Sequence, residues 1–108
     1  MKVKYGQLVA CVPVLQKLVQ QPIRLRQAYY LSKMASKIDE ELIFFRQKYE
    51  EIQNSDKNEE EKKRLQDELL NFEVDWPLEV LKFSIDDDLE LTAMDITLIE
   101  GLIEFTEV

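Results

Sequence analysis

The side chains available for nucleophilic chemistry are Ser32, Ser36, Ser55, Ser84 and the single cysteine, Cys11. Each would need a neighbouring base that is itself held in orientation. The 108-residue chain contains no histidine, so it lacks both the commonest general base and the commonest transition-metal ligand. Cys11 falls on an apolar helical face with Leu8 and Leu15, which reads as a buried structural thiol. Gly6 and Gly101 are the only glycines, too few for a phosphate-cradling loop. No catalytic residue, metal ligand or cofactor is expected, and the chain reads as a non-enzyme.

Asp86-Asp87-Asp88-Leu89-Glu90 is the one carboxylate cluster outside the helical patterns. A calcium loop alternates its oxygens around a turn glycine and closes on a glutamate. Three adjacent aspartates without glycine do not meet that need, and nothing marks a sugar cleft for paired-carboxylate chemistry. Asp86, Asp87, Asp88 and Glu90 therefore form a solvated acidic turn. Their functional readings are an adventitious divalent-ion site and an acidic face that imitates a phosphate backbone.

Charge is divided unequally. Residues 1–49 carry nine Lys/Arg and three Asp/Glu; residues 50–108 carry five and nineteen. Arg24, Arg26, Lys33 and Lys37, with Tyr29 and Tyr30 nearby, outline a basic stripe. Arg26 and Lys33 also fit the solvated face of a helix, and the net charge of −8 opposes a phosphate-binding footprint. Direct nucleic-acid binding is not expected. The asymmetry bears on association instead.

These residues must be positioned by a long helix. Ala28, Leu31, Ala35, Ile38, Leu42, Phe45, Tyr49 and Ile52 recur at alternating spacings of three and four, the a and d positions of successive heptads. The opposite f positions, Arg26, Lys33, Glu40 and Gln47, are all polar. The helix should run from about Ile23 to Gln53. Ahead of it, Lys2–Tyr5 alternates like a short edge strand that Gly6 ends. Gln7–Gln20 then carries Leu8, Val12, Leu15 and Val19 on one helical face, with Pro13 expected to kink or restart it. After an Asn54-Ser55-Asp56 turn, Asp56 and Glu59 suggest a capping box for a second helix bearing Leu65, Leu69 and Phe72. That arm is too short to cover the whole seam. Leu8–Val19 is expected over the near half, with self-association along the seam as the competing solution.

Beyond Phe72 the period changes to two, with strands expected over Glu73–Trp76 and Leu81–Ile85. Thr92-Ala93-Met94-Asp95 resembles a capping box for a short helix ending near Gly101, and Ile103–Val108 suits a last strand. The expected fold is a single α+β domain over 1–108, mainly α. A long antiparallel helical hairpin and an additional N-terminal helix occupy about 7–72, and a small acidic β element occupies about 73–108.

Ile43 and Phe44 lie off the seam at the b and c positions, and Tyr30 shares the c line of Phe44. Apolar residues there require a second contact. Either the C-terminal strands cover them, or Tyr30, Ile43 and Phe44 belong to a surface for a partner protein or a second copy.

The longest apolar run, Leu8–Leu15, is far shorter than the ~20 residues that span a bilayer. Leu8-Val9-Ala10-Cys11 matches a lipidation pattern, but the seven residues before it supply no apolar signal core. No membrane association and a cytoplasmic location are expected.

The order of features resembles a group of small phage and prophage proteins without assigned function. Tyr5-Gly6-Gln7-Leu8, Leu15-Gln16-Lys17-Leu18 and Ala28-Tyr29-Tyr30-Leu31-Ser32-Lys33 carry the resemblance. Glu40-Glu41-Leu42 with Phe45-Arg46, and Leu91-Thr92-Ala93-Met94-Asp95 with Ile103-Glu104-Phe105, complete it. Asp86-Asp87-Asp88 departs from the pattern. The resemblance implies a phage-encoded accessory protein in the bacterial host cell, working in virion assembly or host takeover, and brings no catalytic residues. The alternative is an acidic inhibitor of a host nucleic-acid enzyme or defence system.

Overall fold

The computed structural model describes residues 1–107, so the Val108 end of the expected last strand lies outside the described residues. Strand β1 (Lys2–Lys4) leads directly into helix α1 (Tyr5–Val19), followed by α2 (Leu25–Gln53) and α3 (Glu59–Leu70). Then come β2 (Glu73–Asp75), β3 (Leu81–Ser84), α4 (Ala93–Leu98) and β4 (Ile103–Thr106). The fold is α+β and mainly α, organised on α2.

The heptad seam of α2 does face the core. Leu31, Ile38, Leu42 and Phe45 are buried, while all four f positions are exposed. Met34 is buried as well, widening the stripe by one line beyond a and d. Ala28 at one end and Tyr49 and Ile52 at the other are only half-buried, so the seam loosens toward both ends; Ala35 is half-buried within it. The chain reverses after α1, which lies antiparallel on α2 with the Tyr5 ring 5.4 Å from Phe45. Six α1 residues are buried: Tyr5, Leu8, Cys11, Val14, Leu15 and Leu18.

Two expectations for α1 are corrected. Gly6 does not end a strand; it occupies the first turn of the helix. A Cβ there would lie 3.2 Å from the Leu70 carbonyl oxygen, so the missing side chain lets α1 approach the end of α3. Pro13 neither ends nor restarts α1, which continues as helix to Val19. The proline is exposed, and the carbonyl four residues earlier, which loses its intrahelical donor, belongs to exposed Val9.

Helix α3 is the thinner cover. None of its residues is fully buried, and Leu65, Leu69 and Leu70 are half-buried. Its cap is Asn58, not Asp56: the Asn58 side-chain oxygen accepts from the Glu61 N–H at 2.9 Å. Glu59, Glu60 and Glu61 then occupy the positive end of the helix dipole. Phe72 lies beyond the helix and is exposed, correcting its expected place on the buried face.

The ends of the helical layer are tied by β1 and β2, antiparallel with Lys2 opposite Asp75 and Lys4 opposite Glu73. The Trp76 N–H donates to the Met1 carbonyl at 2.8 Å, and the Tyr5 N–H donates to the Phe72 carbonyl at 3.1 Å. Strands β3 and β4 form a second, parallel pair joined through α4, with Phe83 opposite Phe105.

The capping box on α4 forms as its sequence suggests. The Asp95 N–H donates to Thr92 Oγ1 at 3.1 Å, and the Thr92 N–H donates to Asp95 Oδ2 at 3.0 Å. Lys17 Nζ meets the same Asp95 oxygen at 2.8 Å and docks α4 on α1. Gly101, at φ +91°, makes the left-handed turn into β4, one residue later than a C′ glycine because Ile99 is the cap. The radius of gyration is 15.8 Å, against about 13 Å for a compact chain of this length. The excess reflects an elongated shape, 52 × 25 × 24 Å, built on the 29-residue α2.

Candidate functional site

Phe44 and Ile43 remain 47% and 57% exposed, so the C-terminal strands do not cover them. Those strands meet α2 nearer its start, where residues 77–82 face Tyr30 and Met34 across a cleft. The covering that Phe44 does have comes from the first turn of α1. Its ring stacks on Tyr5 at 6.3 Å between centroids and 23° between planes. Phe72 stacks on the same Tyr5 at 6.0 Å and 18°, and is itself 57% exposed. Buried Tyr5 is thus flanked by two phenylalanines that each present much of their surface to water.

Electrostatics around this group are mild. Lys48 Nζ lies 5.6 Å from the centre of the Phe44 ring, within cation–π range. Burial, and then the negative charge of Glu41, push the Tyr5 hydroxyl above its ordinary pKa. Tyr5 therefore stays neutral at any physiological pH, and what the group presents to solvent is mainly apolar ring surface.

Of the three residues expected at a contact surface, all are exposed; Ile43 and Phe44 lie on neighbouring lines of α2 and Tyr30 lies farther along it. Ile43 projects about 100° around α2 from Phe44, on the line of Tyr29. Tyr30 shares the line of Phe44 but lies fourteen residues earlier, about 21 Å along the axis. It packs edge-on against Tyr29 at 5.5 Å. What the structure brings to Phe44 is Phe72 and Tyr5, neither of which the heptad pattern marks as its neighbour. A sequence signal did exist for Phe72: it follows Asn71, a residue suited to ending a helix.

The acidic turn is partly consumed by its own structure. Asp87 is half-buried, and its Oδ2 accepts from the Ser84 N–H at 3.0 Å. Gln21 grips the backbone of Glu90 from both sides, accepting its N–H at 2.7 Å and donating to its carbonyl at 3.2 Å. Asp86, Asp88 and Glu90 remain exposed. Among the described residues, no group of three or more Cys, Asp or Glu is arranged to hold a metal ion.

No protein-family model, curated protein or solved structure matches this chain.

The remaining reactive groups are built into the fold. Cys11 is buried with its thiol 3.1 Å from the Leu8 carbonyl, and burial pushes its pKa up to about 11. At that value the thiolate is scarce and the sulfur is a poor nucleophile. The Asp95 carboxyl is held below the ordinary carboxylate range, first by its Lys17 hydrogen bond and then by the Thr92 N–H. Among the described residues, no helix is long and apolar enough to cross a membrane.

The basic stripe also divides. Lys37 is engaged by Glu40 at 3.8 Å and Glu41 at 3.3 Å. Arg24, Arg26 and Lys33 instead border the cleft that Tyr30 enters.

Proposed function

We propose that this chain is a non-enzymatic accessory protein that acts by binding another protein, with Phe44 and Phe72 at the centre of the contact. The observation carrying this reading is the pair of half-exposed phenylalanines stacked on one buried tyrosine. Aromatic side chains placed rigidly at a surface are characteristic anchors of protein interfaces. A partner that removes them from water gains apolar burial with little ordering of the rings, because Tyr5 already fixes their positions. The resemblance to small phage and prophage proteins supports a phage-encoded protein of the bacterial host cytoplasm, working in virion assembly or host takeover.

The test is affinity capture from infected-cell lysate with wild type, Phe44→Ala and Phe72→Ala, alongside light scattering of each purified protein. The expected result is a captured partner, or a self-associated mass, that either substitution diminishes while helix content by circular dichroism stays unchanged. Unchanged recovery and mass in both variants would remove the aromatic pair from the function.

The exposure of Asp86, Asp88 and Glu90 on one connection favours a second reading, an acidic inhibitor of a host nucleic-acid enzyme. Because Asp87 holds the turn together, the informative variant is Asp86→Asn, Asp88→Asn and Glu90→Gln with Asp87 retained. Undiminished inhibition by that variant would exclude phosphate mimicry through this turn.

A further inference from the structure

The cleft between the start of α2 and residues 77–82 has a volume of about 740 Å³, within the range of formed ligand sites. Arg24, Arg26, Lys33 and Lys82 border it, with Glu79 the one carboxylate. Among the described residues, none of the four cations takes part in an ion pair. In a chain of net charge −8, leaving four cations together and unneutralised runs against the general excess of carboxylates.

The start of α2 intensifies the field. Arg24 is its N-cap residue and makes no side-chain capping bond, and no acidic residue occupies the first turn. Helices α3 and α4 place acids there, whereas α1, like α2, has none. Cations at the positive end of a helix dipole are unfavourable, so Arg24 and Arg26 stand where a bound anion would relieve them.

The opposite wall indicates what carries the anion. Residues 77–80 belong to no strand, and the backbone N–H groups of Leu78, Glu79 and Val80 have no hydrogen-bond partner among the described residues. The segment runs into β3, which pairs with β4 on one side alone. Unpaired amides leading into a strand with a single strand partner suit the backbone of an added extended chain. Met34, Leu78 and Val80 give the same cleft apolar surface.

We propose that this cleft receives an extended acidic segment of a partner protein. Its carboxylates meet Arg24, Arg26, Lys33 and Lys82, its alternate apolar side chains meet Met34, Leu78 and Val80, and its backbone accepts from the 78–80 amides. The inference rests on the reading of the chain as a protein-binding module, and adds a second contact separate from Phe44. Nucleic acid fits the cleft less well. Tyr30 is the only aromatic ring lining it, and the neighbouring Tyr29 carries the Lys33 ammonium 5.0 Å from its centre, which leaves little stacking surface for bases.

The experiment titrates the whole chain with a labelled short peptide alternating glutamate and valine, following anisotropy and backbone amide shifts. Oligothymidylate of equal charge and inorganic phosphate serve as competing probes. The expected result is peptide binding that shifts the amides of Leu78, Glu79 and Val80 and weakens with salt. Arg26→Glu with Lys82→Glu should weaken it more than about tenfold, the loss of one or more charge-assisted hydrogen bonds. Circular dichroism of the exposed-site double variant checks that the fold is intact. Absence of peptide binding, binding indifferent to the charge reversal, or tighter binding of oligothymidylate or phosphate would each overturn the proposal. Phe44→Ala separates the two contacts. It should leave peptide binding unchanged, so loss of the cleft interaction and loss of the aromatic contact are read independently.

Discussion

Helix α2 is covered by two helices of similar length and very different commitment. Helix α1 has six buried residues, whereas α3 has none completely buried. Both are amphipathic, so periodicity alone does not separate them. The difference lies in what stands at the contact positions. Leu8, Val14, Leu15 and Leu18 fill α1, whereas α3 is a charged helix whose contribution rests on Leu65, Leu69 and Leu70. The deeply buried apolar positions lie in the α1–α2 pair, and α3 packs through half-buried leucines between its Asn58 cap and the strand that follows it.

The largest expected break in that comparison comes from the α1 side. Leu18→Ala should destabilise the protein by about 3 kcal/mol through a cavity at a fully buried site, measured by denaturant midpoint at constant slope. Leu69→Ala, on α3, should cost only about 1 kcal/mol because its side chain is already half in water. Equal losses in the two variants would show that the covers are energetically alike. Asn58→Ala sharpens the contrast at similar size, about 1 kcal/mol. Its effect should appear in hydrogen exchange as faster opening of α3 alone, with the α1 amides unaltered.

The smallest expected effect concerns acid. Asp95 is depressed in the folded protein, so its ionised form favours folding while the pH stays above the ordinary carboxylate range. That contribution is lost as the pH falls through the lower folded value. Acidification should therefore release α4 from Lys17, seen as faster exchange of α4 amides. Asp95→Asn should remove this acid dependence, and a retained dependence would assign it to another carboxylate.

Much of the helical layer was legible because its signals are local. The Leu31–Phe45 spacing gave the buried face of α2, and Thr92 with Asp95 gave the cap of α4. Met34 was missed because a strict two-line seam is narrower than the stripe a helix buries between unequal neighbours. It too stands three residues after Leu31 and four before Ile38. Asp56 and Asn58 both have cap chemistry, and the choice between them rests on where the turn releases the chain. The candidate sites were less legible. Phe44 and Tyr30 stood out as apolar residues on the wrong side of a seam, but what lies against each depends on pairings between residues far apart in sequence. Phe72 reaches Phe44 only through Tyr5, and the cleft exists only because residues 77–82 return to the start of α2.

The short ladder between Lys2–Lys4 and Glu73–Asp75 has a kinetic consequence. It joins segments separated by about seventy residues, so its closure entropy must be met before its few hydrogen bonds act. The α1–α2 hairpin, formed from neighbours in sequence, is expected to assemble first and to place Tyr5 beside Phe45. The ladder then closes as a late clasp over a partly formed bundle. Weakening it should chiefly speed unfolding and leave the folding rate nearly unchanged.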